Sequence, residues 1–439
     1  MSYLIARVAM VSSYVLWSVI VAACGHASQG DHPDPASASD ASAAPVTVVV
    51  TVGAQPIVGV HVYFVNADGS PVATVDTDAT GTAQAIMQAG GSVTAIDPFP
   101  VSMSSVGVAA NDNFLATIMA VKPGDRIVMH TRDVATAEFN ITLRAPIETN
   151  ATGYTVLTTC GNGSLGRGQD GVGPSGLVGL FACNGAADIA IVSHGASGVG
   201  GVSKPISGLY HPNAAVAADG VVDLTAEAYK PLVPVTFTYV NAPSAPISVE
   251  HSQRLPHGQL GPFSATVTAG TATSLEPMLP AETSVVSTLV KLTGDHQVIE
   301  AVPVTTSYTL DLKDVLLPEI PARPSFDVAT GRASWTEGTT GATPDVAVDT
   351  ISVVRGEEPS RRHWQWAIAA PYKRGELAFP KLPTDVFDWT PTAGDHIGVG
   401  EVTIAQLTGG YDALRGRLFG DSNISVAAGE RLVSSTSPH

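Results

Sequence analysis

Along most of this chain apolar and polar side chains alternate with a period of two, and glycine, proline or Asp-Gly pairs break the alternation every few residues. In residues 59–65, Val60, Val62 and Phe64 fall on one face of an extended strand and His61, Tyr63 and Val65 on the other, the pattern of a sheet covered on one side. The Val-rich run at 46–52 and segments 82–87, 154–159, 187–193, 233–240, 284–291, 297–304 and 364–368 also read as strands. Helices are excluded as the main element: 43 glycines and 31 prolines punctuate the 439 residues too often. Only 14% of residues are charged, against about 25% in ordinary globular proteins, too few for long solvated helical faces. The expected fold is all-β. Because the length exceeds what one hydrophobic core fills, it should divide into several β-sandwich domains of about 100 residues. With 22 basic against 39 acidic residues the chain carries −17, the wrong sign for neutralising phosphates, which excludes nucleic acid as a partner.

Residues 1–7 hold one cationic side chain, Arg7, and 8–23 form an apolar run. That run is shorter than the ~20 residues of a membrane span and matches a secretory signal core. It ends in Val21-Ala22-Ala23-Cys24-Gly25, which resembles the lipobox of bacterial lipoproteins: an aliphatic residue and two small ones before a cysteine. The resemblance implies cleavage of 1–23, diacylglyceryl transfer to the Cys24 thiol, and anchoring by acyl chains at about 0.8 kcal/mol per buried CH₂. In that family a residue other than Asp after the cysteine implies the outer membrane, and here it is Gly25. An ordinary secretory signal cut after Ala22-Ala23 is the alternative. Residues 24–45 lack large apolar side chains and are expected to form a disordered tether. His26, Asp31, His32 and Asp34 within it read as solvated spacer rather than metal ligands.

Residues 46–145 read as a first sandwich. A strand, a Gly-Val-x-Val segment starting at Gly59, an Asp68-Gly69 turn and Thr77-Asp78-x-x-Gly81 follow in order. This order resembles the carboxypeptidase regulatory-like, or transthyretin-like, β-sandwich over about 50 residues. The zinc carboxypeptidases use His-x-x-Glu, which this chain lacks, so the resemblance implies the regulatory module without its enzyme. Asp76, Asp78 and Thr80 mimic the start of a calcium loop, but Met87 stands where a bidentate Glu is needed. A simple turn is expected there. Segments 113–121, 125–130 and 137–143 are expected to complete the module.

Residues 146–231 read as a second β domain. Cys160 and Cys183 are the only cysteines besides Cys24, and an even pair in an exported chain reads as a disulfide. Closing that loop removes about 3 kcal/mol of unfolded-state entropy. The glycine-rich stretch 161–179 reads as a loop. A third sandwich at 232–318 and a proline-rich joint at 317–324 follow, then a fourth module at 319–439 that loosely resembles fibronectin type III and Ig-like sandwiches.

Trp364, Trp366 and Ile368 share one strand face, with Tyr372 nearby. Such a row lines the space between two sheets, each indole burying about 200 Å²; left exposed, it would stack sugar rings. Arg361, Arg362, Lys373 and Arg374 flank it and read as solvated strand ends, or as a contact for acidic polysaccharide or lipid headgroups. Gly294-Asp295-His296 and Gly394-Asp395-His396 recur, but adjacent strand residues point to opposite faces and cannot serve one site. No nucleophile elbow, metal-ligand spacing or cofactor motif is present. The expected function is non-catalytic, with no cofactor: a lipid-anchored envelope protein whose sandwiches bind or space partners, either an envelope protein or a polysaccharide. The alternatives are a carbohydrate-binding lipoprotein using Trp364, Trp366 and Tyr372 and, further off, an envelope hydrolase with a site of no recognised motif.

Overall fold

Side chains branched at Cβ favour extended backbone, and the run Val46–Val52 forms the central strand of a four-stranded sheet. It pairs antiparallel with Gln55–Pro56 and Thr82–Ala85 and parallel with Arg126–His130. The computed structural model describes residues 44–52, 55–98, 112–130, 139–166, 173–180, 185–197, 203–255, 258–268, 270–292, 294–313, 316–357, 361–384, 388–415 and 426–438. Strands dominate these residues, and the single helix among them is Gly410–Arg415. None of their helices is long and apolar enough to cross a membrane. The lipobox with Cys24, the tether with His26, Asp31, His32 and Asp34, and Cys183 all lie outside the described residues.

The chain forms two compact units. In the larger one a 13-stranded sheet passes through Ile247–Leu255, Thr283–Lys291, Asp295–Pro303, Arg431–Thr436, Thr403–Leu407, Val346–Arg355, Arg362–Pro371, Asp112–Val121, Gly91–Pro98, His61–Val65 and Pro71–Asp76. The alternation of residues 60–65 is realised directly: Val62 and Phe64 are buried with Val46, Val48, Val50 and Ile127 of the four-stranded sheet, while Tyr63 is buried in a separate core on the other face. That second core also holds Phe237 and Tyr308 of a three-stranded sheet (Thr271–Glu276, Val233–Val240, Ser307–Asp311) and Ala333 and Leu377 of another (Ser325–Asp327, Arg332–Ser334, Glu376–Ala378). Three small sheets thus make sandwiches against one shared sheet.

This differs from a string of separately closed modules. Strand Arg362–Pro371, expected in the fourth module, pairs in parallel with Asp112–Val121 of the first, and Arg431–Thr436 pairs with Asp295–Pro303 of the third. Open sheet edges that would otherwise expose unpaired N–H and C=O groups are joined to each other. The proline-rich joint is likewise no free linker. Leu317 and Ile320 are 2% and 0% exposed, and Leu316 and Glu319 carbonyls accept from Ala342 and Gly338.

The smaller unit contains residues 137–231 and an eight-stranded sheet. Strand Phe139–Arg144, expected to complete the first sandwich, belongs here, pairing with Ser175–Leu180 and Val221–Asp223. Its Ile141 and Leu143 are buried with Val156, Val178, Ile191 and Leu209. The expected glycine loop is also corrected. Its two ends form strands Gly161–Leu165 and Ser175–Leu180, paired antiparallel. Missing side chains allow this close approach: a Cβ on Gly161 would stand 2.3 Å from the Gly179 carbonyl oxygen.

Candidate functional site

Trp364 and Trp366, the candidate sugar platform, are both 0% exposed and offer no face to a ligand. Trp364 stands edge-on to Trp389 with the Arg355 guanidinium 5.1 Å from its ring centroid. Trp366 stands edge-on to Phe379. Tyr372 is half-buried and donates its hydroxyl to Glu337; burial, then the Glu337 carboxylate, pushes that hydroxyl well above the ordinary phenol range. Of the flanking cations, Lys373 pairs with Glu376 and Arg374 reaches the Gly338 carbonyl. Cys160 is buried in the smaller unit's core.

The turn at Asp76–Gly81 spends its carboxylates internally. Asp78 accepts from the Thr80 amide and hydroxyl and from the Thr82 amide, bonds that hold its carboxyl below the usual range; Asp76 pairs with His61. The two Gly-Asp-His triplets diverge. Asp395 takes a two-pronged contact from Arg355, at 2.7 Å to each nitrogen, and His396 is exposed. Asp295 is exposed while His296 is 1% exposed, and burial lowers its pKa. No group of three or more metal-ligating side chains occurs among the described residues.

A chain of polar groups that no sequence spacing announces runs through the larger unit's core. Glu276 Oε2 lies 2.7 Å from His251 Nδ1, His251 Nε2 lies 3.4 Å from the Tyr308 hydroxyl, and that hydroxyl donates to Ser284 Oγ at 2.7 Å. The order of acid, imidazole and hydroxyls is that of a nucleophile relay. Phe237 stacks on Tyr308 and meets His251 edge-on, and all four polar residues are at most 5% exposed. No substrate reaches them, so the chain ties two sheets together.

Polar groups within reach of solvent gather elsewhere. Strand Val346–Arg355 changes partner midway: Val346–Val348 pair with Thr403–Ala405, whereas Ile351–Val354 pair with His396–Val399. Between these partners the chain bends at Gly400, whose amide donates to the Thr350 carbonyl at 2.7 Å. A Cβ there would stand 2.5 Å from the same oxygen, so the bend requires glycine. The split opens a cleft of about 360 Å³, within the size range of small-ligand sites. Val348 and Thr350 line it together with Val399, Glu401 and Thr403; Arg323 and Pro438 complete the lining. The paired glycines Gly398 and Gly400 inside a strand-like run were the available sequence signal for such a break.

No family model and no curated protein matches the chain. Among solved structures it shows similarity to a provisionally designated adhesin from Bacteroides ovatus, at 10% identity over 46% of this chain and 95% of that one, TM-score 0.17. It is also similar to the Bacillus anthracis TIE protein, at 12% identity over 62% and 50%, TM-score 0.15. A third is BcpA, the major pilin subunit of Bacillus cereus, at 8% identity over 61% and 98%, TM-score 0.14. Similarities this low carry no functional argument.

Proposed function

We propose that this chain is a non-catalytic, lipid-anchored protein of the bacterial cell envelope, held at the outer membrane through Cys24, whose β-sandwich body binds or spaces envelope proteins or polysaccharide. The observation that carries the non-catalytic part is the enclosure of the Glu276-His251-Tyr308-Ser284 chain: the arrangement closest to catalytic machinery among the described residues is sealed in a core. The anchor rests on the lipobox ending at Cys24 and on the polar tether after it. The net charge of −17 favours partners other than nucleic acid.

The test is fractionation of cells carrying the wild type or Cys24→Ser, with mass spectrometry of the purified N-terminus. The wild type is expected in the outer-membrane fraction with an acylated Cys24, and the variant in the soluble fraction. An unmodified N-terminus beginning elsewhere overturns the anchor. Hydrolysis of an envelope polymer that survives purification and is lost in His251→Ala overturns the non-catalytic reading.

A further inference from the structure

We propose that Asn140 is the acceptor of an N-linked glycan whose first sugars lie over the exposed Leu177 and Val221. This goes beyond the binding function above and rests only on its export reading. The motif Asn-x-Ser/Thr marks such acceptors in exported chains. It occurs at Asn140-Ile141-Thr142, Asn150-Ala151-Thr152 and Asn162-Gly163-Ser164, all in the smaller unit; a fourth, at Asn423, lies outside the described residues. Asn140, Asn150 and Asn162 are all exposed, and the geometry singles out the first. Neither the Asn140 carboxamide nor the Thr142 hydroxyl has a hydrogen-bond partner among the described residues. By contrast, the Thr152 hydroxyl donates to the His194 and Gly195 carbonyls at 3.2 and 2.8 Å, and Asn162 already holds a contact within the fold.

Strand Phe139–Arg144 carries Ile141 and Leu143 into the core, so the period of two puts Asn140 and Thr142 together on its outer face. Thr142 stands in register between Leu177 on one neighbouring strand and Val221 on the other, and these two are 69% and 57% exposed. Two residues along a strand span about 7 Å, so sugars linked to Asn140 reach that row. Gly179, the register partner of Asn140, has no side chain to stand in the way. The C–H face of a pyranose laid on Leu177 and Val221 takes apolar surface out of water and leaves hydroxyls toward solvent. The transfer is redox-neutral. Asn140 Nδ2 attacks the anomeric carbon of an oligosaccharide carried on a polyprenyl pyrophosphate. The N–C bond forms, the C–O bond to phosphate breaks, the lipid pyrophosphate leaves with the bonding pair, and the amide proton passes to a base of the transferase. The Thr142 hydroxyl marks the acceptor for that transferase.

The test is intact-mass and tandem mass spectrometry of the full-length protein purified from the envelope of its own cells. The peptide containing Asn140 is expected to carry the added mass of a sugar chain on Nδ2. Asn140→Gln and Thr142→Ala should lose that mass, and Thr142→Ser, which keeps the hydroxyl, should retain it. With the glycan gone, Asn140→Gln should bind more of a fluorescent apolar dye than the wild type, and Leu177→Ser added to it should reverse the gain; unchanged thermal midpoints show that both variants are folded. A wild-type chain with its leader removed and Asn140 bare overturns the site and leaves the envelope reading standing, whether or not Asn150 or Asn162 is modified. A chain that keeps its leader, with Asn140 bare, overturns both. Sugar mass that survives Thr142→Ala, or dye binding unchanged in Asn140→Gln, overturns the assignment as argued.

Discussion

The Trp366 indole N–H donates to the Thr117 hydroxyl at 2.8 Å, joining residues 249 positions apart. Trp366 sits opposite Leu115 in a parallel pair of strands, and Thr117 shares a second hydrogen bond, 2.7 Å, with Thr94 on the next strand. The buried Thr117 hydroxyl, through these two bonds, therefore ties three strands of the shared sheet. Trp366→Ala should cost about 3–5 kcal/mol by opening a large cavity. Trp366→Phe, which keeps most of the ring and loses the donor, should cost about 1 kcal/mol from the lost hydrogen bond. Urea unfolding of both variants separates the packing contribution from the polar one; equal losses would contradict this assignment.

Glu276 accepts from two buried side chains, His251 and, at 3.4 Å, Gln253. Glu276→Ala leaves both without that acceptor in a dry core and should cost about 1–3 kcal/mol for each group so exposed to burial without a partner. Ser284→Ala, removing only the acceptor of the Tyr308 hydroxyl, should cost about 1 kcal/mol.

Asp349 is 0% exposed. Its Oδ1 accepts from the Thr350 amide, and Oδ2 has no partner among the described residues. Burial pushes the carboxyl up to about 7, against the pull of that amide. The native state therefore holds a proton that the unfolded chain releases near its ordinary carboxylate pKa of about 4. Between these two values the unfolded state binds fewer protons, so stability falls as pH rises from about 4 to about 7, and the loss is complete above that. Asp349→Asn should match the wild type near pH 4 and be more stable at pH 8. Denaturant midpoints measured across this range check it; parallel pH profiles would contradict it.

Cys160 and Cys183 are proposed to form a disulfide. Non-reducing peptide mapping should recover their fragments as one linked species. Replacing both by Ser should cost about 2–4 kcal/mol. Two free thiols in protein isolated under oxidising conditions would contradict the pairing.

Period-two patterning was enough to find strand after strand, because burial on one face of a sheet leaves its mark on every second residue. The observed Val233–Val240 and Thr283–Lys291 lie where alternation places them. The same patterning put Trp364 and Trp366 on one face. It missed Gly161–Leu165 and Ser175–Leu180, since glycine carries no side chain to alternate and its value there is the space it leaves against Gly179 and Leu165. The cleft was equally illegible: its lining comes from Arg323, residues 348–350 and residues 399–403, which no local spacing connects.

Outside the glycine-rich stretch, the sequence by itself determined strand positions, the face each side chain takes and the turns at Asp68-Gly69 and Asp78–Gly81, all set by backbone sterics and by neighbours a few residues away. Tertiary structure alone decided that Asp112–Val121 meets Arg362–Pro371, that His251 meets Glu276, and that one sheet serves three sandwiches. Strand pairing uses the same N–H and C=O groups in every residue, so partner choice is not written in any one strand. It is fixed by which assembly closes all the edges and cores together.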